Sequence, residues 1–226
     1  MSTYAIIEAA ASEVNHSKQV MHFRTEEHGR RTVTTFIGKT REITLGKEQY
    51  HSLRRSLGDT PSHATMRFLM VTGARKSEVT KMTWSELDLD AQIWTLPATR
   101  TKTRQERIYL LPALLIELLK EWSWTRKNSD SLVWGYIGET TMAHSAECLR
   151  PIVGNNFTTH DIRRSAASLM SGEAGIDPMV VDLLLGHSVK VVTSKILATY
   201  QPKAFQENVN AAWPVWFKWF QREIIG

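Results

Sequence analysis

Ile93-Trp94-Thr95-Leu96-Pro97, followed by the run from Thr99 to Leu111, is where this chain reads as strands. β-Branched and aromatic residues come in short runs, and between them lies the basic turn Arg100-Thr101-Lys102-Thr103-Arg104-Gln105-Glu106-Arg107. Two or three short strands around such a turn favour a small antiparallel sheet. Outward from it the period becomes helical. Upstream, Glu48, Tyr50, Leu53 and Leu57 set a helical rhythm after Gly46, a second run from Ala64 to Val71 halts at Thr72-Gly73, and Lys76 to Trp84 reads as helix. Downstream, Leu114 to Trp124 is apolar on one helical face. The remainder to Phe220 is mostly helical, punctuated at Gly154, Gly172, Gly186 and Pro202. The expected fold is α+β, mainly helical, with a small antiparallel β-sheet.

The rhythm begins near residue 45, so residues 45–226 are expected to form one domain with a helical tail at 203–226, and residues 1–44 a short appendage. Within the appendage, residues 4–14 are Ala-rich and predict a short helix, while Thr32 to Leu45 favours extended structure.

Composition narrows the class of protein. Of 226 residues 42% are apolar and 23% charged, enough for a packed core. The 28 Lys plus Arg against 23 Asp plus Glu give a formal net charge of +5, which permits a polyanionic partner without demonstrating one. A single cysteine, Cys148, excludes an intrachain disulfide framework and a cysteine-rich zinc module and suits a reducing compartment. No apolar run approaches the roughly 20 residues of a membrane span, and no basic flank precedes an apolar stretch at the start. No membrane association and a cytoplasmic location are expected.

Four short stretches carry candidate chemistry. In Thr72-Gly73-Ala74-Arg75-Lys76-Ser77-Glu78, a glycine break opens into a helix, placing Arg75 beside the free N–H groups of a helix start, with Glu78 one turn on to hold a basic side chain. A capped loop with a solvated arginine has the same appearance. Lys102, on the basic turn, can reach into a groove as a proton donor or simply solubilise a hairpin tip. In Thr158-Thr159-His160-Asp161-Ile162-Arg163-Arg164, the Thr-to-Asp spacing is a helix-start pattern that puts His160 and Arg163 on one face, where both can reach one phosphate or sit as surface residues of a capped helix. From Asp177-Pro178 a buried helix runs to a stop at Gly186, leaving His187 just beyond, and a further helix from Lys190 to Thr199 delivers Tyr200 ahead of Pro202.

Read in order, Arg75, Lys102, His160-x-x-Arg163, Leu185-Gly186-His187 and Tyr200 resemble the catalytic domain of the tyrosine recombinases, the phage integrase family. The segments Met82 to Asp90, Trp94-Thr95-Leu96-Pro97 and Thr101-Lys102-Thr103 are most similar to those of prophage and genomic-island integrases. The resemblance implies that Arg75 and Arg163 clamp a scissile phosphate, with His160 and His187 completing the pocket, Lys102 acting from the hairpin as acid, Glu78 in support and Tyr200 as nucleophile. Two guanidiniums suit the charge that builds on the nonbridging oxygens, and nearby cations with a histidine make phenolate attack feasible. It further implies a 3′-phosphotyrosyl intermediate, double-stranded DNA as partner, and no metal, ATP or other cofactor. Tyr4, Tyr50, Tyr109 and Tyr136 all precede the His160–Arg163 segment, and packing in a strand-like run explains Tyr109.

Family members usually carry a helical DNA-clamping domain ahead of the catalytic half, which the appendage is too short to form. A catalytic fragment, a naturally short recombinase and an appendage with a different role are all consistent with that. After Tyr200, Trp213, Trp216, Phe217 and Phe220 form one helical stripe with Lys218 and Arg222 off it. Such a stripe either folds onto its own core or docks, as the resemblance implies, on a neighbour in a tetrameric synapse. Two further readings share these residues: a type IB topoisomerase-like enzyme and a catalytically silent DNA-binding relative. A metal-dependent nuclease ranks last, because His160, His187 and Cys148 lack ligand spacing.

Overall fold

The computed structural model describes the backbone of residues 20–28, 31–40, 43–154, 156–186 and 202–226, and the side chains of 43–154, 156–186 and 209–226. His187 and Tyr200, and the helices expected at 4–14 and 190–199, lie outside the described residues.

The chain divides into two units, Met1–Ile43 and Thr44–Gly226. In the first, β1 (Val20–His28) pairs antiparallel with β2 (Arg31–Thr40), with a register shift between His22 and Phe23. The run Thr32-Val33-Thr34-Thr35-Phe36-Ile37 supplies the β-branched and aromatic residues that extended backbone accommodates.

The second unit is built around α2 (Pro61–Thr72), preceded by α1 (Lys47–Ser56). Thr60 caps the start of α2, accepting from the His63 amide, and Pro61 takes the first helical position, where its missing N–H costs nothing. Nine of its residues, Phe68, Leu69, Met70 and Val71 among them, are buried. An all-round apolar helix of this kind belongs in the centre of a core. Against it lies a three-stranded antiparallel sheet in the order β3 (Leu87–Asp88), β4 (Ile93–Leu96), β5 (Arg107–Leu110). Register pairs Trp94 with Tyr109 and Leu96 with Arg107, so these four share the inner face. Trp94 and Tyr109 stack at 4.6 Å between ring centres, and Phe68 meets Trp94 edge-on at 5.5 Å. Among the described residues, the remaining α-helices are α3 (Lys76–Thr80), α4 (Ala113–Glu121), α5 (Glu139–Val153), α6 (Thr159–Gly172), α7 (Pro178–Leu184) and α8 (Pro202–Phe220).

One expectation changes. The helix read from Lys76 to Trp84 stops at Thr80, and Trp84–Glu86 forms a separate 3₁₀ turn. Nonlocal pairing wins there: Thr83 bridges Leu132, and the Val133 amide donates to Met82 O at 2.9 Å. The tail stripe is occupied within its own chain. Trp213, Trp216 and Phe220 are buried, Trp219 joins them, and Phe217 is half-buried. The Trp216 indole N–H donates to Val71 O at 2.7 Å, and Phe220 meets Tyr50 edge-on.

The end of α2 shows how side chains complete a helix terminus. The last carbonyls of a helix have no intrahelical donor and carry partial negative charge. Here Met70 O accepts from the Tyr50 hydroxyl at 2.9 Å, Val71 O from Trp216, and Gly73 O from Arg163 Nη1 at 2.6 Å. The helix at 47–56, the tail and α6 therefore converge on one point, and the candidate site is built on it.

Candidate functional site: an arginine cluster on two helix ends

Two glycine turns form the floor. Gly73 follows α2 at φ 60° and Gly186 follows α7 at φ 65°, both in the left-handed region that glycine enters without a Cβ penalty. A Cβ on Gly73 would also strike the Leu185 side chain at 2.5 Å, so the turns pack directly on each other.

Arg163 stitches them together. From the fifth residue of α6 it donates Nη1 to Gly73 O and Nη2 to Leu185 O, each at 2.6 Å, placing one cation on the negative ends of α2 and α7. Burial draws its pKa down to about 10, with the charges of Arg75 and Arg107 adding to that effect, while Tyr109 and Glu78 oppose it. At neutral pH it remains a cation. The start of α6 is fixed as the Thr158-to-Asp161 spacing predicts: Asp161 Oδ2 accepts from the Thr158 amide at 2.8 Å and from its hydroxyl at 2.7 Å. That cap sets the helix phase, which leaves His160 exposed on the first turn and Arg163 buried.

Arg75 sits at the N-cap of α3, held twice by the buried carboxylate of Glu78. Its amide donates to Oε2 at 2.8 Å and its Nη1 to Oε1 at 2.9 Å. Its Nη2 reaches Gly186 O at 3.1 Å, so Arg75 and Arg163 bond to adjacent carbonyls of the same turn. Each guanidinium carries five N–H donors, and these contacts use two of them.

Lys102 is exposed in the turn between β4 and β5. Buried Thr101 pins that turn: its hydroxyl donates to Gln105 O at 2.9 Å and accepts from the Gln105 amide at 3.0 Å, while Arg104 takes φ 54°. Arg100 is a brace, donating Nη2 to Glu78 O at 2.6 Å and its Nη1 to Glu86. The structure thus brings Arg75, Arg163 and Glu78 together, puts His160 at the head of the helix that carries Arg163, and places Lys102 on a closed loop.

Arg107 and Tyr109 are neighbours at this cluster; the sequence marks Tyr109 as packing and gives Arg107 no role at the site. Arg107 Nη1 donates to Tyr109 Oη at 2.8 Å and lies 3.5 Å from Glu78 Oε1. The signal is present in the alternation: Arg107 is in phase with Tyr109 and Leu111, a cation on the inward face of a strand. Tyr109 itself is fully buried. Burial first, and the Glu78 charge second, push its phenol up to about 12, and burial alone holds Tyr50 well above the ordinary range.

A phenol whose folded pKa is raised contributes stability that is complete below its unfolded value near 10 and is lost as pH rises through about 12. Arg163 acts in the opposite sense over this window, so the readout is tyrosinate absorbance followed together with helical circular dichroism. We expect a late absorbance component, displaced toward about pH 12, that Tyr109→Phe diminishes. An undiminished late component in that variant would count against the burial of this phenol.

Among the described residues, no group of three or more His, Cys, Asp or Glu side chains is placed to hold a metal ion, and no helix is long and apolar enough to cross a membrane.

The profile of the phage integrase family matches residues 44–202. The prophage integrase IntF of Escherichia coli (strain K12) is 28% identical over 166 residues, covering 67% of this chain and 34% of that protein. The integrase from mycobacterium phage Brujita superposes with a TM-score of 0.59 at 16% identity, over 79% of this chain and 59% of that one. A lambda integrase dimer bound to a COC′ core site gives a TM-score of 0.53 at 18% identity, over 67% of this chain and 59% of that one. The chain therefore spans about a third of the length of that prophage integrase and 59% of each of these two solved chains.

Proposed function

The chain belongs to the phage integrase family, the tyrosine recombinases, and on that footing we propose that it is a site-specific DNA strand transferase that cuts and rejoins duplex DNA through a 3′-phosphotyrosyl intermediate. One observation carries it: Arg75 and Arg163, from separate helices, are fixed on the two carbonyls of the Leu185-Gly186 turn, immediately ahead of His187 in the sequence. Two planar cations held side by side by buried groups suit the nonbridging oxygens of a single phosphodiester, whose negative charge grows in the transition state. No reorganisation is needed when that charge appears.

In the proposed reaction the Tyr200 phenol oxygen attacks phosphorus in line, its proton passing to a histidine, His160 or His187. The P–O5′ bond breaks, and Lys102 from its pinned turn protonates the leaving oxygen. The products are a tyrosine-linked 3′-phosphate and a free 5′-hydroxyl. Because a phosphodiester is exchanged for a phosphodiester, a 5′-hydroxyl of another duplex reverses the step without ATP. Residues 45–226 form the catalytic domain in this scheme, and the protein acts at DNA in the cytoplasm, self-associating on its site.

The test is incubation with a nicked half-site from the element's own ends in EDTA, followed by denaturing electrophoresis. The expected result is a protein–DNA adduct that Tyr200→Phe abolishes and EDTA does not affect. DNA that is bound and never linked would identify a silent DNA-binding relative instead. Plasmid relaxation without joint products would identify topoisomerase-like activity.

A further inference from the structure

Three guanidiniums and one carboxylate meet at this site. Glu78 is 2% exposed and Arg107 12%, so both charges are withdrawn from solvent. Glu78 Oε1 takes Arg75 Nη1 at 2.9 Å and stands 3.5 Å from Arg107 Nη1, while Oε2 takes the Arg75 amide and lies 3.5 Å from Tyr109 Oη. Arg107 also lies against Gly186, where a Cβ would fall on its guanidinium. Gly186 in turn supplies the carbonyl that Arg75 grips. Arg107 therefore touches both partners of Arg75, the carboxylate and the turn.

The charge count shows what that achieves. Arg75, Arg107 and Arg163 against Glu78 leave two net positive charges. Without Arg107, Glu78 cancels Arg75 and one is left. A phosphodiester attacked by a phenolate carries two negative charges in the transition state, one from each reactant. We propose that Arg107 is a positioning residue for this phosphate site: by neutralising Glu78 and holding Gly186 in place, it keeps Arg75 and Arg163 both available as net charge toward the reacting phosphate. The proposal rests on the strand-transfer reading above and adds to it a residue from the sheet.

Lysine at 107 keeps the charge, and glutamine keeps a donor without it. A unit charge about 6 to 10 Å from the reacting phosphate, at an effective dielectric of about 20, corresponds to a tenfold to hundredfold change in rate. Cleavage by Arg107→Gln and Arg107→Ala is therefore expected to fall about tenfold to a hundredfold, with half-site affinity nearly unchanged and Arg107→Lys restoring most of the loss. The decisive arm is a half-site with a methylphosphonate at the scissile position, which carries one negative charge fewer. On it the ratio of wild type to Arg107→Gln should shrink to a few-fold. Equal ratios on the two substrates, or rescue by glutamine and not by lysine, would overturn the proposal and leave Arg107 as packing.

A second measurement needs no cleavage. Inorganic phosphate that raises the melting temperature of the wild-type protein should raise that of Arg107→Gln by half as much or less. Equal shifts would also overturn the proposal. A wild-type protein that never forms the adduct would sink the strand-transfer reading alone, because the phosphate shifts still decide the role of Arg107.

Discussion

Arg75→Ala is expected to slow adduct formation by about 10²- to 10³-fold or more while leaving half-site affinity within about tenfold. Duplex binding draws on many phosphate contacts along the groove, whereas cleavage depends on the donors that meet one phosphorus. The fold should survive. Arg75 is a quarter exposed in its side chain, and Glu78 keeps Arg107 and Tyr109 as neighbours after the change. Arg163→Ala should slow cleavage as much and damage the fold as well. It leaves Gly73 O and Leu185 O without their charged donor inside the protein, a loss of about 3 kcal/mol or more. At roughly 2 to 4 °C per kcal/mol for a domain of this size, its melting temperature should fall by about 6 °C or more, and that of Arg75→Ala by clearly less. Adduct yield, filter binding and thermal melts on the two variants separate the effects. Equal losses of binding and cleavage in Arg75→Ala would make that arginine a general DNA contact.

The contrast between these arginines shows which parts of the site the sequence displays. Arg75 and Glu78 are three residues apart, as are Thr158 and Asp161, and helix-start chemistry is local enough to read from spacing. The small sheet is equally legible, since Trp94 and Tyr109 sit in β-branched and aromatic runs on either side of a basic turn. What spacing does not reveal is that Arg163 is anchored on the ends of two other helices, because the partner carbonyls are identical at every residue and only the fold selects Gly73 and Leu185. Arg107 was hidden in another way. It closes a run of polar residues that resembles a solvated hairpin tip, yet strand pairing with Leu96 turns it inward. Likewise the helix read through Trp84 ends at Thr80, because the chain beyond it pairs with residues near 132.

Trp216→Ala should be the most destabilising single change in the tail. The side chain is fully buried, stacks on Trp219 at 5.1 Å between ring centres, and donates to a carbonyl in the last turn of the central helix. Removing a buried tryptophan costs about 3 to 5 kcal/mol through lost transfer energy and the cavity left behind, and the orphaned Val71 carbonyl adds to it. A fall in melting temperature of about 10 °C follows. Phe217→Ala is the control: half-buried and stacked on Trp213 at 5.4 Å, it should cost about 1 kcal/mol. Protein concentration makes the measurement specific. The Trp216 contacts lie within one chain, so wild type and variant should differ by the same amount at low and high concentration. A difference that vanishes on dilution would mean that the stripe stabilises a contact between copies. In a protein whose tail is part of its own core, any assembly on DNA must either use another surface or first bear the cost of lifting these tryptophans out.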